Sequence, residues 1–116
     1  GADDDSYFAS ELLYDRIRSG KALTEDEIQS ACPDRSFSAQ VFRFIKSAEI
    51  CQASPEQIAI KLGFGSEMTC KVRVVLDAFC ELGLVEYCSN GCRAVPEAPK
   101  VSLGSASILR KLGYKD

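Results

Sequence analysis

The chain has 116 residues, enough for one compact domain with a short appendage at roughly 150 residues per domain, and too few for two full domains. Hydrophobic residues make up 46% and charged residues 27%, a globular composition, and no run approaches the ~18 apolar residues of a membrane span. The sequence contains no histidine, which excludes Ser-His and Cys-His nucleophile pairs, histidine general bases and imidazole metal sites.

No signal-peptide pattern opens the chain, so it is expected to be soluble and cytoplasmic. It starts at Gly1 and has its single methionine at Met68, as expected of a piece of a longer protein. The net charge of -3 divides unevenly. Residues 1–58 hold eleven acidic and six basic side chains, and residues 59–116 hold six acidic and eight basic ones. The second half is mildly basic, well short of the footprint of an autonomous nucleic-acid binder. The six cysteines are too sparse for a disulfide scaffold, and Cys70 and Cys80 fall in an apolar-periodic segment that suits reduced thiols. Cys88 and Cys92 flank Ser89-Asn90-Gly91, where a hairpin would set them face to face for a disulfide or half of a zinc site; a plain hairpin is the simpler reading.

In chain order, Ser6 is placed to cap a helix with Phe8, Leu12, Leu13 and Ile17 on one face, closed by Ser19-Gly20. Thr24 and Glu27 form a capping box, with Leu23 and Ile28 at the positions of a hydrophobic staple, and Cys32-Pro33-Asp34 breaks that helix. From Ser36 to near Glu49, Phe37, Val41, Phe44, Ile45 and Ala48 line another helix. Ser54-Pro55-Glu56-Gln57 starts a short helix buried through Ile58, Ala59 and Leu62, with cap, N1 proline and capping box all present. Gly63-Phe64-Gly65 supplies a turn, and Ser66 is expected to cap a third helix from Glu67 to Leu82 with Met68, Val72, Val75, Leu76, Phe79 and Leu82 inward. Residues 84–88 and 92–95 alternate like strands around Asn90-Gly91, and Pro96 and Pro99 stop the sheet. A last helix spans about Ser105 to Leu112.

Three helices followed by a hairpin predict a mostly α fold with a small β-hairpin (α+β), a winged helix in which the hairpin is the wing. Residues 1–34 form an N-terminal helical extension docked on it, 35–97 the winged-helix domain and 98–116 a C-terminal tail helix. In a nucleic-acid-binding helix-turn-helix the second helix of the motif enters the major groove. Here its outward half holds Glu67, Cys70, Arg73, Val74, Asp77 and Glu81, with Lys71 at the margin, a mixed surface. Cys70, Val74 and Ala78 add a second apolar strip, as on a helix covered from two sides by protein. Protein packing and nucleic-acid contact both remain open. For the second, the candidates are Ser66 and Thr69 at the helix N-terminus, with Lys61, Lys71, Arg73 and wing residue Arg93. No catalytic motif occurs, and Asp3-Asp4-Asp5 is expected to be a solvated tail.

Four stretches together resemble the C-terminal region of bacterial single-stranded-DNA-specific exonucleases of the RecJ type, in the longer form found in Gram-positive bacteria. They are Tyr14-Asp15-Arg16-Ile17 with Leu23-Thr24-Glu25-Asp26-Glu27-Ile28; Asp34-Arg35 leading into Val41-Phe42-Arg43-Phe44-Ile45-Lys46; Val75 through Val85; and Lys100 through Leu112. The last, with its Arg110-Lys111-Leu112 ending, is the most distinctive. The resemblance implies a parent enzyme that degrades single-stranded DNA from the 5′ end with Mn2+ or Mg2+ held by aspartates and histidines of an N-terminal core. None of those ligands maps onto this sequence, so the resemblance implies a noncatalytic accessory domain without a cofactor of its own. It would be monomeric when isolated, with the catalytic body, single-stranded DNA or a repair protein as partners and no membrane. A winged-helix transcription regulator or a protein-interaction module is the alternative.

Overall fold

A computed structural model describes residues 2–89, 91–97 and 99–115, and for residues 2–8 the backbone alone. The side chains of Ser6, Phe8 and the Asp3-Asp4-Asp5 run therefore lie outside the described residues, as does Asn90. Among the described residues six α-helices and one hairpin follow in order: α1 (Ala2–Arg18), α2 (Glu25–Ala31), α3 (Arg35–Lys46), α4 (Pro55–Lys61), α5 (Thr69–Glu81), β1 (Val85–Cys88), β2 (Gly91–Ala94) and α6 (Ser107–Lys111). The fold is mostly helical with one two-stranded antiparallel ribbon. Among the described residues no helix is long and apolar enough to cross a membrane.

Local sequence sets most of these boundaries. Thr24 Oγ1 accepts the Glu27 N–H at 3.1 Å while the Thr24 N–H donates to Glu27 Oε1 at 2.9 Å, which satisfies two orphan donors at the start of α2. Ser54 and Gln57 repeat the arrangement on α4, with Pro55 at its first position. Asp34 caps α3 by accepting the Phe37 N–H at 2.7 Å, so that helix starts earlier than Ser36. It also ends earlier, at Lys46, where Ser47 turns its hydroxyl back to the Phe44 carbonyl at 2.6 Å and leaves Ala48 exposed outside the helix. Two further expectations shift. The first helix begins at Ala2, so Ser6 lies within it and does not cap it. Ser66 opens a 3-10 turn over Ser66–Met68 and makes no cap, and α5 proper starts at Thr69.

The core has two compartments divided by α5. On one side Val72, Val75, Leu76 and Phe79 meet Phe37, Val41 and Ile45 of α3, Ile58 and Ala59 of α4, and Val85 and Cys92 of the hairpin. On the other, Cys70, Val74 and Ala78 meet Ile17 of α1, Ala31 of α2, and Ile108, Leu109 and Leu112. α1, α2 and α6 thus close one side of the helix that α3, α4 and the ribbon cover on the other.

The hairpin pairs Val85 with Ala94, Glu86 with Arg93, Tyr87 with Cys92 and Cys88 with Gly91. Gly91 therefore belongs to the strand β2. Cys88 and Cys92 are not opposed. One residue of offset puts them on opposite faces of the ribbon, so the pairing considered from sequence does not form, and all six cysteines are free thiols. Cys92 instead faces Cys51, whose N–H donates to the Cys92 carbonyl at 2.7 Å and whose carbonyl accepts the Cys92 N–H at 2.9 Å. Gly91 permits this approach. Its φ is 149°, and a Cβ there would lie 2.1 Å from the Cys51 carbonyl oxygen. Gly91→Ala is expected to destabilise the chain by more than about 1 kcal/mol, because it combines an unfavourable φ with a backbone clash. Urea denaturation checks this, and an unchanged midpoint would contradict the bridge geometry.

Candidate nucleic-acid interface

A helix N-terminus binds phosphate when its first N–H groups are free. At α5 the Cys70 N–H donates to Ser10 Oγ of α1 at 2.5 Å, and the Ser10 hydroxyl reaches the Glu67 carbonyl at 3.5 Å. The cap comes from sixty residues upstream. Thr69 is buried, its hydroxyl donating to the Ser66 carbonyl at 2.6 Å, and Ser66 is only 6% exposed. Both residues are thus buried, and the Thr69 hydroxyl is turned to backbone of the preceding turn.

The charged side chains of α5 are similarly engaged. Arg73 forms an ion pair with Glu11 of α1 at 2.9 Å and lies over the Tyr14 ring at 5.1 Å. Asp77 accepts the Tyr14 hydroxyl and lies 3.5 Å from Arg18. Glu81 accepts the Ser107 N–H at 2.5 Å and its hydroxyl, capping α6 from another helix. Lys71 is half-buried with its ammonium 5.8 Å from the centre of the Phe37 ring. The mixed polarity of this helix is thus the polarity of an internal contact.

Cys70, Val74 and Ala78 are at most 1% exposed and lie beneath α1, α2 and α6. Arg93, on the exposed face of β2, pairs across the ribbon with Glu86. Lys61 stands exposed at the end of α4. The six residues considered for nucleic-acid contact are therefore scattered among buried, paired and exposed positions and do not form one surface. The cap from Ser10 is invisible to local pattern reading because its partner is so distant. Its trace in the sequence is Ser10 itself, at helical spacing from Leu13 and Ile17.

Burial at this contact moves two titrations. It pushes the Cys70 thiol up to about 12, and burial followed by the Asp77 hydrogen bond pushes the Tyr14 phenol to about 12 as well. The Glu81 carboxyl is held below its usual range by the Ser107 hydroxyl and N–H.

No protein family, curated protein or solved structure compared with this chain matches it.

Ser10→Ala removes the distant cap and is expected to lower stability by about 1 kcal/mol, with the loss read in urea melts. A variant as stable as the parent would show that Ser10 does not satisfy the Cys70 N–H. The raised thiol and phenol make the fold sensitive to alkali. Unfolded chains release these protons from reference values of 9.0 and 10.0, while the folded chain retains them to about 12. Stability is therefore full below pH 9 and declines as pH climbs towards 12. The urea midpoint should fall between pH 8 and pH 10, and fall less in Cys70→Ala; equal slopes would remove the thiol from the account.

Proposed function

We propose that the chain is a noncatalytic C-terminal accessory domain of a RecJ-type single-stranded-DNA exonuclease acting in DNA repair and recombination. The observation that carries this reading is the use made of the most distinctive stretch of the sequence. The segment from Lys100 to Leu112 delivers Ile108, Leu109 and Leu112 onto the second apolar strip of α5, which makes a tail helix part of the domain core.

A winged-helix reading of residues 35–97 is supported by the order of α3, the Cys51 bridge, α4, α5 and the β1–β2 ribbon. The ribbon is then the wing, with residues 1–34 as the N-terminal extension and 98–116 as the tail. Covering α5 on both sides favours an attachment role over duplex reading, since the helix that would enter a major groove is already packed against α1 and α6. In this role the domain docks on the catalytic body, helps hold single-stranded DNA or receives a repair partner. Mn2+ or Mg2+ belongs to the parent's catalytic core in this reading.

The purified chain is expected to run as a monomer in gel filtration, to cleave no DNA with Mn2+ or Mg2+ added, and to prefer single strands to duplex in paired binding assays. A symmetric dimer that prefers duplex would replace this reading with that of a transcription regulator. Metal-dependent cleavage by the pure chain would overturn the noncatalytic assignment.

A further inference from the structure

The arginines of α1, α5 and the hairpin form ion pairs: Arg16 with Glu27, Arg18 with Asp77, Arg73 with Glu11 and Arg93 with Glu86. The outer side of α3 differs. That helix contains three basic residues and no acidic one, within a chain of net charge -3. Arg35, Arg43 and Lys46 are exposed, and among the described residues none of them forms an ion pair with a carboxylate. Arg43 and Lys46, three positions apart, share one face of the helix.

Two hollows flank this pair. Arg43 borders a shallow one against Ser47 and Leu62 of about 290 Å³. Lys46 stands at the edge of a groove of about 880 Å³ between the end of α3 and the strand β2. Phe42, Ile50, Leu84 and Pro96 give the larger groove an apolar floor, and its rim carries charge of both signs on Lys46, Arg93, Glu49 and Glu97. Ile50 is 40% exposed, and Phe42 stands edge-on to Phe79 with 5.2 Å between ring centres, which fixes its orientation from behind. The Lys46 ammonium lies 5.4 Å from the centre of the Phe42 ring, so charge and aromatic surface adjoin.

We propose that this groove and the adjoining Arg43–Lys46 edge of α3 bind single-stranded DNA, with phosphates along the cations and bases against the apolar floor. The proposal rests on the accessory-domain reading above and gives it a contact surface. Single-stranded nucleic acid keeps its charge on one edge and its flat, apolar faces on the other, the same segregation found between the α3 cations and the groove. An acidic peptide distributes its charge along its side chains and would bring some of it against Glu49 and Glu97, which also line the groove. A duplex stacks its bases out of reach of such a floor.

The test is fluorescence anisotropy of the 116-residue chain with a labelled oligo-dT across a salt series. Arg43→Glu with Lys46→Glu is expected to weaken binding at least tenfold, and loss of two phosphate contacts should make the salt slope shallower by about 1.4. Glu49→Gln should tighten binding, a direction that damage to the fold would not produce. The combined Lys71→Ala and Arg73→Ala variant, on the far side of α3 from the groove lining, should bind with less than a threefold change. Unchanged affinity in the α3 variant while the wild type binds oligo-dT overturns the proposed surface and leaves the accessory-domain reading standing. Preference of the wild type for duplex, with dimerisation, overturns that reading as well. Equal competition by poly-glutamate of matched charge would make the surface a general acceptor of polyanions and overturn its assignment to DNA.

Discussion

The apolar character of α5 on two sides is the constraint on which the architecture depends. Val72, Val75, Leu76 and Phe79 need one cover, and Cys70, Val74 and Ala78 need another. Each large apolar side chain left in water would forfeit about 1.5 to 3 kcal/mol of burial, so neither half of the molecule is dispensable to the helix. Residues 35–97 supply the first cover from α3, α4 and the ribbon. The second comes from both ends of the sequence, where α1, α2 and α6 are too short or too sparsely apolar to stand alone. The polar residues of α5 follow the same logic, since Arg73, Asp77 and Glu81 each meet a partner on one of those covering segments.

Much of this was legible in the residues. The capping boxes at Thr24 and Ser54 are complete within four positions, so local chemistry alone fixes where α2 and α4 begin. The double periodicity of α5 announced two covers without saying which segments provide them. What escaped was long-range or fell on one-residue margins. Ser66 is a good cap by type, yet α5 starts at Thr69, two residues later than Glu67, and its N-terminus is served by Ser10. An Asn-Gly pair marks a turn by type, but Gly91 lies within β2 beside the Cys51 bridge, and that one-residue shift separates Cys88 from Cys92. The same limits apply to the candidate surface. Sequence position suggested the helix after the turn, whereas only the three-dimensional pairing of charges reveals which cations are committed.

Charge in this protein divides by function within the fold. Two ion pairs join α1 to α5: Arg73 with Glu11, which is half-buried, and Asp77 with the exposed Arg18. Among the described residues the cations of α3 form no ion pair, and Lys46 lies over the Phe42 ring. A net-negative chain that leaves a cationic strip beside an apolar groove tolerates a local imbalance that internal packing does not explain.

The side-by-side placement of α1 and α6 has a mechanical consequence. Ile17 and Arg18 border the same small hollow as Ser107, Ile108 and Lys111, so the opening and closing helices form a clasp over α5. Tension that draws the two ends of the polypeptide apart would load this clasp first. The ribbon and its Cys51 bridge lie behind it and would bear force only after the terminal helices had peeled away.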